Sequence, residues 1–126
     1  MLWTTQGIKE IRGDNYATVR PVPSAGARHA FETYIAALNV EGLKKGIYHY
    51  LPMNHSLEVI TAADNIEQKV TDSLCGQKFA GKSAAVFYYS AVPYRSEWRY
   101  PMGAHKVMLL DAGHVMQNLY LSCGAV

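Results

Sequence analysis

Apolar residues recur at helical spacing over residues 107–123, and further apolar residues cover most of the remaining circumference. This pattern predicts a buried helix. Asp111, His114 and Asn118 fall at i, i+3 and i+7, so their side chains form one narrow polar stripe along that helix. Gly113 costs about 1 kcal/mol relative to Ala in mid-helix, which indicates that another group packs close to it. From these residues alone, we interpret the segment as a core helix whose polar stripe binds other protein groups.

Shorter patterns earlier in the chain predict a sheet with a helix packed on it. Residues 34–40, 47–51 and 57–60 are apolar segments separated by turn residues, which predicts three strands in an antiparallel meander. The uninterrupted apolar and aromatic run at residues 84–92 predicts a strand covered on both faces, and therefore the central strand. Residues 64–76 carry apolar side chains on one face and predict an amphipathic helix.

The remaining segments predict one short helix and two connections. Residues 1–8 are typical of the last turns of a helix, residues 10–20 of a polar loop, and residues 93–103 of an aromatic and basic connection. A chain of 126 residues is long enough for one hydrophobic core and is short for two domains. We therefore predict a single domain over residues 1–126.

Composition limits the kinds of partner. The formal net charge is +2, with 17% charged residues and no run of Lys or Arg, which argues against nucleic acid and membrane surfaces. No segment has the form of a signal peptide or the length of a membrane span. The spacing of Cys75 and Cys123 fits neither a disulfide framework nor a metal site, and no two histidines lie three or four residues apart. We predict a cytoplasmic protein that binds small molecules or proteins and holds no metal.

Residues 23–28, with the sequence PSAGAR, are the first candidate for ligand contact, and we call them the proline-serine loop. Small residues let a backbone approach a ligand closely, although a tight turn explains the same pattern. The spacing matches neither a P-loop nor a dinucleotide-binding motif. A triad of Ser24, His114 and Asp111 is disfavoured, because Asp111 and His114 share one helix face and no nucleophile elbow surrounds Ser24.

Four segments occur in an order that points to one enzyme family. They are PSAGARHA at 23–30, NVEGLKKGIYHY at 39–50, WRYP at 98–101 and DAGHVMQNLYL at 111–121. Together they resemble the SagB-type dehydrogenase branch of the FMN-dependent nitroreductase family, and the resemblance runs through nearly the whole chain. It implies an α+β flavin-binding fold and an obligate homodimer, with FMN at the subunit interface.

The resemblance also implies site residues. In that family the proline-serine loop wraps the flavin and the long helix lies near it. Tyr100 matches the tyrosine ahead of this helix, and we expect it to act in catalysis with Arg99, which stands where the family often has lysine. A cation from Arg95 or Arg99 could stabilise a Tyr100 phenolate, whereas the alternative is a tyrosine that only packs against the helix. The residues expected to contact FMN are Pro23, Ser24, Ala25, Gly26, Arg28, His114 and Asn118.

The chain departs from the family pattern at its ends. Family members usually carry an arginine-rich segment before the equivalent of Met1 and a glycine-rich segment beyond the equivalent of Val126, so this sequence resembles the middle of a nitroreductase domain. Arg20 and Arg28 are the available substitutes for the phosphate-binding arginines.

The implied function is an oxidoreductase in which FMN transfers a hydride through its N5 to or from a small molecule or a peptide azoline. A nicotinamide donor is one option. The alternative is a catalytically silent binding or scaffold fragment with an incomplete flavin site.

Overall fold

A computed structural model describes residues 1–14 and 16–125, which form both helices and strands. The helices are α1 (Leu2–Gln6), α2 (Ile66–Ser73), α3 (Tyr94–Glu97) and α4 (Ala104–Gly124). The strands are β1 (Glu10–Arg12), β2 (Ala17–Val19), β3 (Phe31–Ala37), β4 (Gly46–Leu51), β5 (Ser56–Ala62) and β6 (Ala85–Ala91). This mixture confirms the predicted α+β class. Within the described residues, no helix is both long enough and apolar enough to cross a membrane.

Four strands form one sheet in the order β5, β4, β3, β6. β3 and β4 are antiparallel, with Tyr34 opposite His49, and the two rings stack with their centroids 4.6 Å apart. β4 and β5 are also antiparallel, with an irregularity between Ile47 and Tyr48. The predicted antiparallel meander is therefore confirmed, because strands joined by short turns pair with their neighbours in sequence.

The position of β6 shows that the prediction of a central strand at residues 84–92 is wrong. In the described sheet β6 is an edge strand beside β3, and its side chains are half-buried or exposed. Leu38 and Asn39 donate backbone hydrogen bonds to the carbonyl oxygen of Ala84, each at 2.9 Å. A continuous apolar run indicates that a strand needs cover on its faces, but it does not tell how many strands flank it.

Residues 10–20, predicted to be a loop, contain a two-stranded antiparallel ribbon of β1 and β2. Glu10 lies opposite Val19 and Arg12 lies opposite Ala17, while residue 15 is outside the described residues. The loop prediction is therefore wrong. Both strands are half-buried or exposed. Such strands have no buried face, so no alternation of apolar and polar residues marks them in the sequence.

The described residues form two compact units. The second unit, Thr33–Leu51 and Ser56–Ser90, has a core of its own. α2 contributes Ile66 and Val70, which lie four residues apart and are each 2% exposed, so the predicted amphipathic helix is confirmed. The single domain predicted over residues 1–126 stays a prediction. The buried members of this core are Ala36, Leu38, Ile66, Val70 and Ala80.

The first unit, Met1–Glu32, Pro52–His55 and Ala91–Val126, contains α1, α4 and the proline-serine loop. The prediction that α4 is buried is wrong for the single chain, since Leu109 is 74% exposed and Tyr120 is 78% exposed. Apolar residues all round a helix indicate that it needs cover, but they do not tell which molecule supplies it. The buried residues of α4 are Ala104, Met108, Asp111 and Val115.

Candidate flavin-binding site

The carboxylate of Asp111 is the centre of a hydrogen-bond network that holds the proline-serine loop. Asp111 lies on the buried face of α4 and is only 4% exposed. The Ser24 hydroxyl donates to Asp111 Oδ2 at 2.6 Å, and the Ala25 N–H donates to Oδ1 at 3.1 Å. The backbone N–H of His29 in turn donates to the Ser24 hydroxyl oxygen at 2.9 Å. One buried carboxylate therefore holds the start of the loop directly and the residue after it through Ser24.

Between these anchors the loop turns sharply. Ala25–Ala27 form a 3₁₀ turn in which Gly26 (φ +58°) and Ala27 (φ +53°) have left-handed backbone angles. A Cβ at Gly26 would lie 2.7 Å from the hydroxyl oxygen of Tyr100. Both the backbone angle and this close approach therefore favour glycine at this position.

Tyr100 lies beside the loop. It packs against the buried cluster of Ala30, Ala104 and Met108, and its hydroxyl approaches Gly26. This position agrees with the packing interpretation of Tyr100, and it also brings a hydroxyl group to the loop. Arg99, the expected partner of Tyr100 in catalysis, is exposed.

Arg95 has an acidic partner of its own. Its guanidinium donates to the Glu32 carboxylate and, at 3.2 Å, to the carbonyl oxygen of His29. Because this charge is already paired, Arg95 is poorly suited to stabilise a Tyr100 phenolate. The cationic role considered from the sequence is thereby left to the exposed Arg99.

Of the two arginines suggested as phosphate ligands, Arg20 is held by the protein itself. Its Nη1 donates to the Gln6 carbonyl oxygen at 3.3 Å and to Gln6 Oε1 at 3.1 Å, and its Nε donates to Thr18 Oγ1 at 3.2 Å. Arg28 uses only Nε, which donates to the Gly26 carbonyl oxygen at 2.7 Å. Within the part of the chain that the structure describes, the terminal nitrogens of Arg28 make no hydrogen bond.

The Arg28 guanidinium lies over the ring of Trp98, with its central carbon 4.9 Å from the ring centroid. This distance is typical of a cation–π contact, which holds a long side chain in place and leaves its N–H groups available. A shallow cleft of about 220 Å³ opens beside the two residues. It is lined by Tyr16, Ala17, Thr18, Ala27, Arg28, Arg95 and Trp98.

His29, which follows the loop, is buried and neutral at pH 7. Burial, assisted by the charges of Arg20 and Arg28, lowers the pKa of His29 from 6.5 to about 4. A hydrogen bond with the Thr18 backbone and the charge of Asp111 act in the opposite direction. The loop therefore lies between a buried anion and a buried neutral imidazole.

The three side chains of the polar stripe of α4 have different surroundings. Asp111 binds the loop, whereas the Asn118 side-chain amide donates to the carbonyl oxygen of Thr4 at 2.9 Å. His114 is exposed, so the triad with Ser24 is not assembled: the Ser24 hydroxyl donates straight to Asp111. The close packing predicted at Gly113 is absent within the described residues, where nothing lies within 4 Å of an added Cβ.

Sequence reasoning missed the role of Asp111 in the site, although it placed the residue on the polar stripe. The available signal was that a carboxylate on a buried helix face must find several donors. A serine followed by small residues offers a hydroxyl and close backbone N–H groups, but the sequence does not show that the two segments meet. No cluster of three His, Cys, Asp or Glu side chains suited to a metal occurs among the residues described here.

The fold, the glycine-containing loop and the long helix define the class of protein. The chain belongs to the Nitroreductase family, which matches residues 6–125. A nitroreductase-family protein of Methanocaldococcus jannaschii is 28% identical over 121 residues, which cover 96% of this chain and 58% of that protein. The trifolitoxin-processing protein TfxB of Rhizobium leguminosarum bv. trifolii is 29% identical over 107 residues, which cover 82% of this chain and 29% of TfxB. The chain thus spans less than two thirds of the length of either relative.

Solved structures share the fold. The crystal structure of a nitroreductase-family protein of Anabaena variabilis matches with a TM-score of 0.85 at 28% identity, covering 96% of this chain and 25% of that one. A nitroreductase-family protein of Ralstonia eutropha matches with a TM-score of 0.69 at 27% identity, covering 97% of this chain and 51% of that one. A chain of the E. coli microcin synthetase McbBCD complex has a TM-score of 0.69 at 24% identity, over 95% of this chain and 47% of its own length, and this likeness concerns the fold alone.

Proposed function

We propose that this chain is the flavin-binding part of an FMN-dependent oxidoreductase of the SagB type. The observation that carries the proposal is the anchored proline-serine loop, which places Ala27 and the Arg28 guanidinium beside an open cleft in a nitroreductase fold. The likeness to a trifolitoxin-processing protein favours the SagB-type branch, for which the sequence resemblance implies a peptide azoline as substrate. Small-molecule acceptors reduced with a nicotinamide donor remain the broader option for the family.

The residues present fit part of an FMN molecule. Arg28 offers two terminal nitrogens to a phosphate, and Trp98 holds the guanidinium in place. The cleft of about 220 Å³ is smaller than the roughly 300–1,000 Å³ of pockets that enclose a whole ligand, so it suits one portion of the cofactor. When bound, FMN would supply hydride chemistry at its N5. The residues proposed to contact it are Pro23, Ser24, Ala25, Gly26, Arg28, His114 and Asn118.

Titration of the chain with FMN and with riboflavin tests this proposal. Riboflavin lacks the phosphate, so Arg28→Ala should weaken FMN binding about tenfold or more and leave riboflavin binding nearly unchanged. Arg12→Ala is a matched control, because Arg12 pairs with Glu10 on the exposed ribbon. Absence of binding to both flavins by the unaltered chain would overturn the proposal and favour the scaffold alternative. Equal losses for the two flavins would contradict the role of Arg28.

We also propose catalytic roles for Tyr100 and Arg99. The Tyr100 hydroxyl lies against the loop at Gly26, where it could pass a proton to or from a substrate held beside the flavin. Tyr100→Phe should then lower turnover by about 10²–10⁴-fold while flavin content stays the same. Arg99→Ala should lower turnover less, since the side chain is exposed to water. Unchanged turnover in Tyr100→Phe would leave this residue with a packing role only.

The proposed active form is a homodimer. α4 exposes large apolar side chains in the single chain: Leu109 is 74% exposed, Leu110 is 56% exposed and Tyr120 is 78% exposed. Exposed apolar patches of this kind mark interaction surfaces in folded proteins. Analytical ultracentrifugation at micromolar concentration should show a dimer, which Leu109→Glu should weaken. A well-folded monomer would contradict this part of the proposal.

A further inference from the structure

We propose that Asp111 is a positioning residue, whose buried carboxylate fixes the proline-serine loop so that the Gly26 N–H is presented to the flavin. The inference rests on the proposed function, because it names what holds the flavin-binding loop in shape. It assigns Asp111 no contact with flavin or substrate. Four observations support it, namely the use of the loop N–H groups, the backbone angles, the burial of the carboxylate and the shared role of Ser24.

Three of the five N–H groups of the loop are used within the protein. The Ala25 N–H donates to Asp111, the Ala27 N–H to the Ser24 carbonyl oxygen at 3.0 Å, and the Arg28 N–H to the Ala25 carbonyl oxygen at 3.2 Å. Pro23 has no N–H to offer. Among the described loop residues, this leaves the N–H groups of Ser24 and Gly26 without an acceptor, and of the two residues Gly26 is the exposed one while Ser24 is half-buried. The Ser24 hydroxyl is also committed, since it donates to Asp111.

The backbone angles explain why the loop needs an anchor. Ala27 (φ +53°) and His29 (φ +47°) both have left-handed angles although neither is glycine. Left-handed residues with a Cβ are strained, and they persist only where the surrounding contacts over-determine the conformation. The Ser24 hydroxyl and the Ala25 N–H donate to Asp111 before these two residues, and the His29 N–H donates to the Ser24 hydroxyl oxygen after Ala27. Without these hydrogen bonds, the loop could leave the left-handed conformation for less strained ones.

The anchor uses both oxygens of the Asp111 carboxylate. Asp111 accepts from the Ser24 hydroxyl on Oδ2 and from the Ala25 N–H, which lies 3.1 Å from Oδ1 and 3.3 Å from Oδ2, while Ser24 also accepts from the His29 N–H. An asparagine at this position has only one acceptor oxygen, so in one amide orientation the Ser24 hydroxyl proton loses its acceptor, and in the other the NH₂ group faces the Ala25 N–H. Asp111→Asn therefore keeps the size of the side chain and removes one acceptor of the anchor. Ser24→Ala removes the bond to Asp111 from the opposite side, together with the acceptor of the His29 N–H.

Two measurements on the full chain test the inference. The first is amide hydrogen exchange without flavin, in which Asp111→Asn and Ser24→Ala should each raise exchange at Ala25 and His29 by about tenfold or more. The second is riboflavin titration, in which each variant should bind about tenfold more weakly. The loss in the double variant should be smaller than the sum of the two single losses, because both changes break the bond between Ser24 and Asp111.

Ser122→Ala is the matched control. Ser122 also lies on α4, and its hydroxyl shares a 2.5 Å hydrogen bond with Thr4. Removing this hydroxyl therefore perturbs the same helix at a point away from the loop. Loop exchange and riboflavin affinity should not change in this variant. Faster loop exchange with unchanged riboflavin affinity in the Asp111 and Ser24 variants would overturn the positioning role, as would unchanged exchange. Failure of the unaltered chain to bind riboflavin would instead overturn the proposed function, and the exchange data would still decide whether Asp111 anchors the loop.

Discussion

Each of the two units of this chain is stabilised internally in a different way. In the second unit, apolar side chains such as Ile66 pack against sheet residues that are close in the meander. In the first unit, side-chain hydrogen bonds join distant segments: Asp111 binds Ser24 across 87 positions, and Asn118 binds Thr4 across 114. Apolar cores tolerate substitution by side chains of similar volume, whereas a polar network needs each donor and acceptor in its place. We therefore expect the first unit to respond to isosteric polar changes and the second to changes in volume.

The largest effect is expected in the apolar core. Ile66 is 2% exposed, so Ile66→Ala should lower the free energy of unfolding by about 2–5 kcal/mol, through lost burial and the cavity that remains. Ile66→Val is the matched control and should cost about 0.5–1.5 kcal/mol. Urea titration followed by circular dichroism measures both. Equal losses in the two variants would show that volume does not govern this core.

The next effect concerns pH and the first unit. The pKa of His29 is about 4 in the folded chain and near 6.5 in the unfolded chain, so between these values the unfolded state binds more protons. Stability should therefore fall as the pH drops from 6.5 to 4, by at most about 3 kcal/mol, and His29 should add nothing further below pH 4. His29→Asn, which cannot titrate and tolerates the left-handed angle, should flatten this dependence. An unchanged pH profile in this variant would contradict the assignment.

A smaller effect is expected where the loop meets Tyr100. Gly26→Ala should cost about 1–3 kcal/mol, because the added Cβ would lie 2.7 Å from the Tyr100 hydroxyl oxygen. Tyr100→Phe removes that oxygen, so the double variant should be more stable than the two single costs imply, by at least about 0.5 kcal/mol. Thermal unfolding of the four proteins measures this coupling. Strict additivity would mean that backbone strain alone explains the glycine.

The smallest effect separates two ion pairs. The side chains of Arg95 and Glu32 are 40% and 22% exposed, and a double-mutant cycle should give a coupling of about 1 kcal/mol or less. Lys45 and Glu67 in the second unit are 60% and 40% exposed, so their coupling should be weaker and should vanish in high salt. A stronger coupling for the exposed pair would contradict the comparison between the units.

The same contrast explains how much could be predicted from the sequence. Apolar periodicity predicted the meander and the helix that carries Ile66 and Val70, because contacts between neighbouring elements leave a local pattern. The proline-serine loop was also proposed as a ligand contact from its small residues, and that contact stays a prediction. The anchor of the loop at Asp111 was not predicted, because a hydrogen bond across 87 positions leaves no periodic signal. The edge position of β6 was missed for a related reason, since the residues of a strand do not show how many strands pair with it.

The central claim is that the first unit binds flavin through the anchored loop, and a titration followed by amide NMR tests it most directly. On addition of riboflavin to the unaltered chain, the amide signals of Gly26, Ala27 and Arg28 should shift most. The signals of Ile66 and Val70, in the apolar core of the second unit, should stay in place. Shifts that are largest at α2, or a loop whose signals do not move at saturating riboflavin, would contradict the claim.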